Sequence, residues 1–346
     1  MIVDDDPAGD WTAPGVYRCA PGVHRIPLPL PSDGLRAVNV YALADGDGLT
    51  LVDAGWALAL SREALAAALA GLGAGLGDVR RFLVTHVHRD HYTQAVALRR
   101  EYGMRVALGR GERPGLEELN RPRRERRGQR EQLLRAGAHE LLRQLGLEAA
   151  PGGDPAEYEF PDEWIDDGAQ IVVGAGSAGQ RVLEAVATPG HTRGHVVFAD
   201  PVGELLFAGD HVLPRITPSL GLEPVPAASP LADFLTSLEL VRSRPDAVLL
   251  PAHGPTGMRV HQRVDELIAH HEKRLDTTQA ALQEGRSTAY EVAAALLWTR
   301  RDTPFAELDL FNRMLASIET SAHLEVLAER ALVTMEERDG ILHYTT

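Results

Sequence analysis

Cysteine occurs once in this chain of 346 residues, at Cys19, so an intramolecular disulfide is impossible and no oxidising compartment is required. Lysine also occurs once, at Lys273, and the other basic residues are arginines. Positive charge is in short supply: the net charge of -14 argues against wholesale wrapping around nucleic acid, though not against a local basic patch. No apolar run approaches the ~20 residues that span a bilayer. Residues 1–10 are acidic and contain no apolar signal-peptide core. These absences lead to the expectation of a cytoplasmic protein with no membrane segment. There is no internal repeat and no low-complexity tract.

What is present is concentrated in Thr85-His86-Val87-His88-Arg89-Asp90-His91. Imidazole nitrogens and a carboxylate so close together suit a divalent metal such as zinc. The cluster follows Phe82-Leu83-Val84, which reads as a buried strand, and polar residues crowded at the end of a buried strand often mark a site. Three later patches repeat the placement: Thr188-Pro189-Gly190-His191, Phe207-Ala208-Gly209-Asp210 and Pro251-Ala252-His253-Gly254. Strand ends thus deliver ligands to one rim.

Apolar periodicity organises the rest. Ala37 to Ala44 and Leu49 to Val52 flank Asp45-Gly46-Asp47-Gly48, a hairpin signal. Helices are expected over 57–72, from about Thr93 to Tyr102, over 230–242 and over 258–283. Strands are expected at 81–85, 104–108, 171–173, 182–187, 196–199, 205–208 and 247–250. Residues 109–166 form an insertion, polar and helical at first, with six arginines between Arg121 and Arg130. Gly285-Arg286-Ser287-Thr288 reads as a linker with a helix cap, followed by short helices and two strands around Asp339-Gly340.

The motif His86-x-His88-x-Asp90-His91, followed in order by His191, Asp210 and His253, resembles that of the metallo-β-lactamase superfamily over roughly residues 15–285. The resemblance implies an α+β, four-layer αββα sandwich. It implies that His86, His88 and His191 bind one metal, that Asp90, His91 and His253 bind a second, and that Asp210 bridges them. Two ions ~3.5–4 Å apart share a water and lower its pKa toward ~7, giving a bridging hydroxide that attacks a carbonyl or phosphoryl centre. Two zinc ions are expected, with iron or manganese at one or both positions as the alternative. Asp90 and Asp210 are the expected catalytic carboxylates.

Branches of the superfamily differ by residue type. Asp210 stands where some β-lactamases carry a cysteine ligand, so antibiotic hydrolysis is disfavoured. Flavodiiron proteins have Glu where His88 stands. The β-CASP nucleases carry their insertion after the fourth ligand motif, whereas here it separates the first two ligand clusters. Glyoxalase II-like thioester hydrolases, acyl-homoserine lactonases and a small endoribonuclease branch remain. Where many members have Gly-Gly after the motif, this chain has Tyr92-Thr93-Gln94.

The expected organisation is a catalytic domain over 1–285, with 109–166 as a helical cap, and a winged-helix-like domain over 286–346. The leading expectation is hydrolysis of a thioester or ester, acyl-CoA among the candidates. The alternatives are an endoribonuclease, a lactonase, and a mononuclear iron enzyme resembling persulfide dioxygenases. Asp53 either backs a ligand histidine or simply shapes a turn. His195 either hydrogen-bonds near the site or packs, and Tyr92 either reaches a substrate oxyanion or packs. Arg123, Arg124, Arg126 and Arg127 either meet substrate phosphates or form a solvated helix face. Leu133, Leu134, Leu141, Leu142 and Leu145 offer an apolar face to an acyl chain or to the core. Arg274 is a candidate anchor for an anionic tail. The partner expected is a small acyl substrate, with a homodimer open and nucleic acid disfavoured.

Overall fold

The central strands of this chain, such as those over Ala37–Asp45 and Leu205–Gly209, are apolar on both faces, and in the structure (a computed structural model) each face meets a different layer. Residues 2–31, 34–121, 128–146, 157–174 and 180–346 are described. The first sheet runs in sequence order: β1 (Ile2–Asp4), β2 (Val16–Ala20), β3 (Val23–Pro29), β4 (Ala37–Asp45), β5 (Gly48–Val52), β6 (Val79–Val84), β7 (Arg105–Gly109) and β8 (Glu163–Ile165). The second contains β9 (Gln170–Val173), β10 (Arg181–Ala187), β11 (Val196–Asp200), β12 (Leu205–Gly209) and β13 (Val248–Pro251), ordered β13-β12-β11-β10-β9.

Alternation along each strand builds the layers. In β4, Val38, Val40 and Ala42 face helices α1 (Ala59–Gly71) and α2 (Arg89–Tyr102), while Tyr41 and Leu43 face the second sheet. In β12, Leu205 and Phe207 face the first sheet, while Leu206 and Ala208 face α6 (Pro230–Ser243) and α7 (Val260–Gln283). A one-residue slip in either strand would exchange its two faces, so register is strongly specified. The result is the four-layer sandwich.

Between β7 and β8 lie α3 (Arg113–Leu119), α4 (Gly128–Arg135) and α5 (His139–Gln144). The apolar face of this insertion is already occupied: Leu133, Leu141 and Leu142 pack on Met314 and Ile318 of α9 (Leu310–Glu329). Docking, rather than an acyl groove, accounts for these leucines. Past α7 come α8 (Ala289–Ala295), capped by Thr288 with Glu291, then a two-residue pairing of β14 (Leu297–Trp298) with β15 (Thr303–Pro304). After α9 a hairpin closes the chain, β16 (Thr334–Arg338) with β17 (Ile341–Thr345). Ala322, Leu324, Leu342 and Tyr344 share one apolar cluster with Val197, Leu206 and Leu249 of the second sheet. The C-terminal segment is therefore built into the outer layer of the sandwich.

Helix α2 begins earlier than the apolar pattern implies. It starts at Arg89, so Asp90 and His91 sit on its first turn and His88 at its cap. A carboxylate in the first turn suits the helix dipole, an effect that apolar periodicity does not register. No helix among the described residues is long and apolar enough to cross a membrane.

Candidate metal centre

The ligand candidates come from strand ends and one helix start. His86 and His88 follow β6, Asp90 and His91 open α2, His191 follows β10, Asp210 follows β12 and His253 follows β13. Two main-chain bonds stitch the sheets together at this rim: Val196 N–H to Thr85 O at 2.9 Å and Asn39 N–H to Ala252 O at 2.7 Å.

The outward hydrogen bonds of the histidines determine what points inward. His86 Nδ1 lies 3.0 Å from the Thr85 hydroxyl, His88 Nε2 lies 2.9 Å from Leu222 O, and His191 Nδ1 lies 2.7 Å from Ser219 O. Each of these nitrogens faces an oxygen and carries the proton. The opposite nitrogens are left as lone pairs, and they converge: His191 Nε2 is 3.2 Å from His86 Nε2 and 3.0 Å from His88 Nδ1. Three lone pairs at this separation repel unless a cation lies among them. Burial lowers His191 to about 3, helped by the nearby His88 and opposed by Asp210, so these rings are neutral and able to coordinate.

A second convergence lies beside the first. His91 Nδ1 donates to Asp53 Oδ2 at 2.9 Å, and His253 Nδ1 donates to Ala37 O at 2.7 Å. Their Nε2 atoms are buried without a hydrogen-bond partner, and the same is true of Asp210 Oδ1. The Asp90 carboxylate lies 3.6 Å from His91 Nε2 and 3.4 Å from His253 Nε2. Burial alone would raise the Asp90 carboxyl, but the His91 and His253 rings outweigh it and hold the group below the usual carboxylate range.

Asp210 spans both clusters. Its Oδ2 is 3.4 Å from His191 Nε2, and its Oδ1 is 3.4 Å from His253 Nε2 and 3.7 Å from His91 Nε2. The ligand atoms of His86, His88 and His191, of Asp90, His91 and His253, and of His86, His91 and Asp210 each gather within 4.8 Å. Orphaned buried polar atoms, convergent lone pairs and a carboxylate facing two sets fit divalent cations.

Behind the ligands stands a hydrogen-bonded layer. Asp53 adopts a φ of 60°, which aims its carboxyl under the rim, where it accepts from Thr85 N–H at 2.8 Å as well as from His91. His195 accepts from Asp210 N–H at 3.1 Å and contacts the Thr188 hydroxyl at 2.8 Å. Gly209, with φ of 49°, must be glycine, because a Cβ there would lie 2.7 Å from both His195 Nε2 and Thr85 Oγ1.

Other candidates from sequence do not join the ligands. Tyr92 is buried in the helix layer, and its hydroxyl donates to Glu159 O, so it does not face the site. The helix start turns it inward, and Thr93 and Gln94 beside it tie α2 to Ala57 and Ala54. Arg274 lies over the Trp298 ring and donates to Leu297 O, so it serves the C-terminal segment. Arg123, Arg124, Arg126 and Arg127 lie outside the described residues.

Some groups at the site have no clear sequence signal. Glu112 is buried against both ligand loops, accepting from the Thr192 hydroxyl and, at 3.4 Å, from Val87 N–H. Burial raises it to about 8, opposed by the Thr192 bond and aided by Glu223. The carbonyls of Ser219 and Leu222 come from the loop between β12 and α6. That loop is held by Arg263, which donates to Leu213 O and Ile216 O, and by Gln132 of the insertion, which donates to Gly221 O at 3.0 Å. Thr85 is the one legible member, a polar residue closing an apolar strand just before His86.

The family model described as the metallo-beta-lactamase superfamily matches residues 33–253. A probable metallo-hydrolase of Bacillus subtilis (strain 168) is 25% identical over 335 residues, covering 93% of this chain and 96% of that protein. The crystal structure of a metallo-beta-lactamase family protein from Thermus thermophilus is 30% identical with a TM-score of 0.75, covering 95% of this chain and 99% of that one. A beta-lactamase domain protein from Burkholderia ambifaria is 27% identical with a TM-score of 0.76, covering 99% of this chain and 96% of that one. With its sandwich fold, its rim of histidines and aspartates and a family match over most of its length, the chain belongs to the metallo-beta-lactamase superfamily.

Proposed function

We propose that this protein is a dinuclear zinc hydrolase acting on a thioester or a related carbonyl ester. The carrying observation is Asp210, whose two oxygens each face a different cluster. On this reading His86, His88 and His191 would hold one ion, Asp90, His91 and His253 would hold the other, and Asp210, facing both clusters, would help to hold each. Two such ions, when bound, would lower the pKa of a bound water toward ~7 and polarise a carbonyl.

The chain's own residues supply the rest. Asp53 and the Thr85 hydroxyl occupy Nδ1 of His91 and His86, which directs the Nε2 atoms of both rings inward. Asp90, whose carboxylate lies 3.4 Å from His253 Nε2 and whose side chain is slightly more exposed than that of Asp210 (14% against 8%), would orient the water that bound ions activate. The Tyr92 hydroxyl is committed to Glu159 O, and the buried Glu112 carboxyl to Thr192 and Val87 behind the candidate ligands, so neither is free to serve as an acid for the leaving group. A thiolate needs little protonation to depart, and this supports a thioester over an amide.

The test is metal quantification on natively purified protein, combined with turnover of a thioester, a lactone, a cephalosporin and RNA. About two zinc per chain, with the thioester cleaved fastest, is the expected result. A single tightly held iron, or turnover of RNA but not of thioesters, would overturn it.

A further inference from the structure

The N-terminal segment precedes the part of the chain that the superfamily model covers, and it is tied to the candidate metal centre by a buried polar chain. Strand β1 pairs with β2 at the edge of the first sheet and leads into Asp5, whose N–H donates to Arg18 O at 3.1 Å. There Arg25 grips it at two points, Nη2 to Oδ1 at 2.6 Å and Nε to Oδ2 at 3.1 Å. The pair is nearly sealed from solvent, with side-chain exposures of 2% for Arg25 and 6% for Asp5. The planar guanidinium has a fixed fork, so occupying one side with Asp5 aims the other. That other side, Nη1, donates to Trp11 O at 2.7 Å and to Asn39 Oδ1 at 3.1 Å.

Orienting the Asn39 oxygen toward Arg25 turns its NH2 toward the loop that carries His253. It donates to Pro251 O at 3.0 Å and to Gly254 O at 2.9 Å, while Asn39 N–H holds Ala252 O at 2.7 Å. Three carbonyls around His253 are therefore held by one residue. Asp5 also reaches this loop directly, since the Thr256 hydroxyl donates to its Oδ2.

We infer that Asp5, acting through Arg25 and Asn39 and directly through Thr256, is a positioning residue for His253 and governs cation binding at the Asp90, His91 and His253 cluster. This rests on the reading of His253 as a metal ligand. A buried arginine with its carboxylate removed is left uncompensated, so the fork loses its aim and Asn39 its fixed orientation. The first cluster has different supports, in Thr85, Ser219 and Leu222, and should be spared.

The experiment is chelator competition on the zinc-loaded full chain, following zinc release in two steps. His253→Ala defines one step by removing it alone; removal of neither or both overturns the two-cluster reading itself. Asp5→Ala should move that same step toward release by about tenfold or more and leave the other within about twofold. Equal movement of both steps, movement of neither, or movement only of the step that survives in His253→Ala would overturn the inference. If Asp5→Ala does not fold, Thr256→Val keeps the Asp5–Arg25 pair and should move the same step by about threefold. No change in that variant, or an equal change in both steps, counts against the inference.

Discussion

His91 Nδ1 and Asp53 Oδ2 lie 2.9 Å apart, with both side chains buried at the rim between the sheets. The contact commits one ring nitrogen to a carboxyl group and leaves the other pointing at Asp90 and Asp210. It also makes Asp53 answerable for the geometry of a residue 38 positions later in the chain.

Replacing that carboxyl should therefore be felt in metal binding. Asp53→Ala is expected to weaken zinc at the His91 cluster by about 10–100-fold. Asp53→Asn keeps an oxygen acceptor and tolerates the left-handed backbone, so its loss should be smaller. Zinc titration of the metal-free protein compares the two; equal losses would mean that the carboxyl oxygen is not what matters.

His88 offers a direct check on the first cluster. His88→Ala should lower zinc content and abolish thioester hydrolysis, because it removes one of three convergent lone pairs. Full activity with unchanged metal would overturn the ligand assignment.

The docking of the insertion on the C-terminal helix bears on the same cluster. Ile318 is buried beside Gly221, next to Leu222, whose carbonyl holds His88. Ile318→Ala should cost about 2–5 kcal/mol of stability. It should also shrink the rise in Tm that zinc produces, since the loop carrying Ser219 and Leu222 loses its seat. Thermal unfolding with and without zinc reads both; a lower Tm with an unchanged zinc increment would confine Ile318 to packing.

Glu112 predicts a pH dependence. Burial raises it to about 8 from an ordinary 4.5, so between these values the folded chain holds a proton that the unfolded chain has released. Stability from this group is full below about pH 4.5 and is lost as pH rises toward 8, at about 1.4 kcal/mol per pH unit. Glu112→Gln, which cannot ionise, should flatten the fall in denaturation midpoint between about pH 5.5 and 7.5. An unchanged slope would show that another group is responsible.

Much of this molecule is legible in its residues, and for identifiable reasons. The β4–β5 hairpin follows from apolar runs around Asp45-Gly46-Asp47-Gly48, and the helix starting at Ala289 follows from Thr288 and Glu291 as a capping box. Apolar periodicity places the start of α2 late because its first turn is polar, and it misses β1 because a strand of three residues, all exposed, is too short to show alternation. Tyr92 and Arg274 have the right chemistry, but the direction of a side chain depends on what packs around it. Tyr92 is turned into the helix layer and Arg274 onto Trp298.

The sequence by itself singled out the candidate ligands, because coordination chemistry restricts the residue types and strand ends restrict their places. Only the tertiary structure decided how those ligands are held. Ser219, Leu222 and Ala37 serve through main-chain carbonyls, which are alike in every residue and leave no trace in the side-chain code. His253 finds its carbonyl 216 residues away, and Asn39 grips Pro251 across 212. Such contacts exist only once the two sheets have closed on each other, and their closure brings Asp5, Arg25 and Asn39 into line behind the rim.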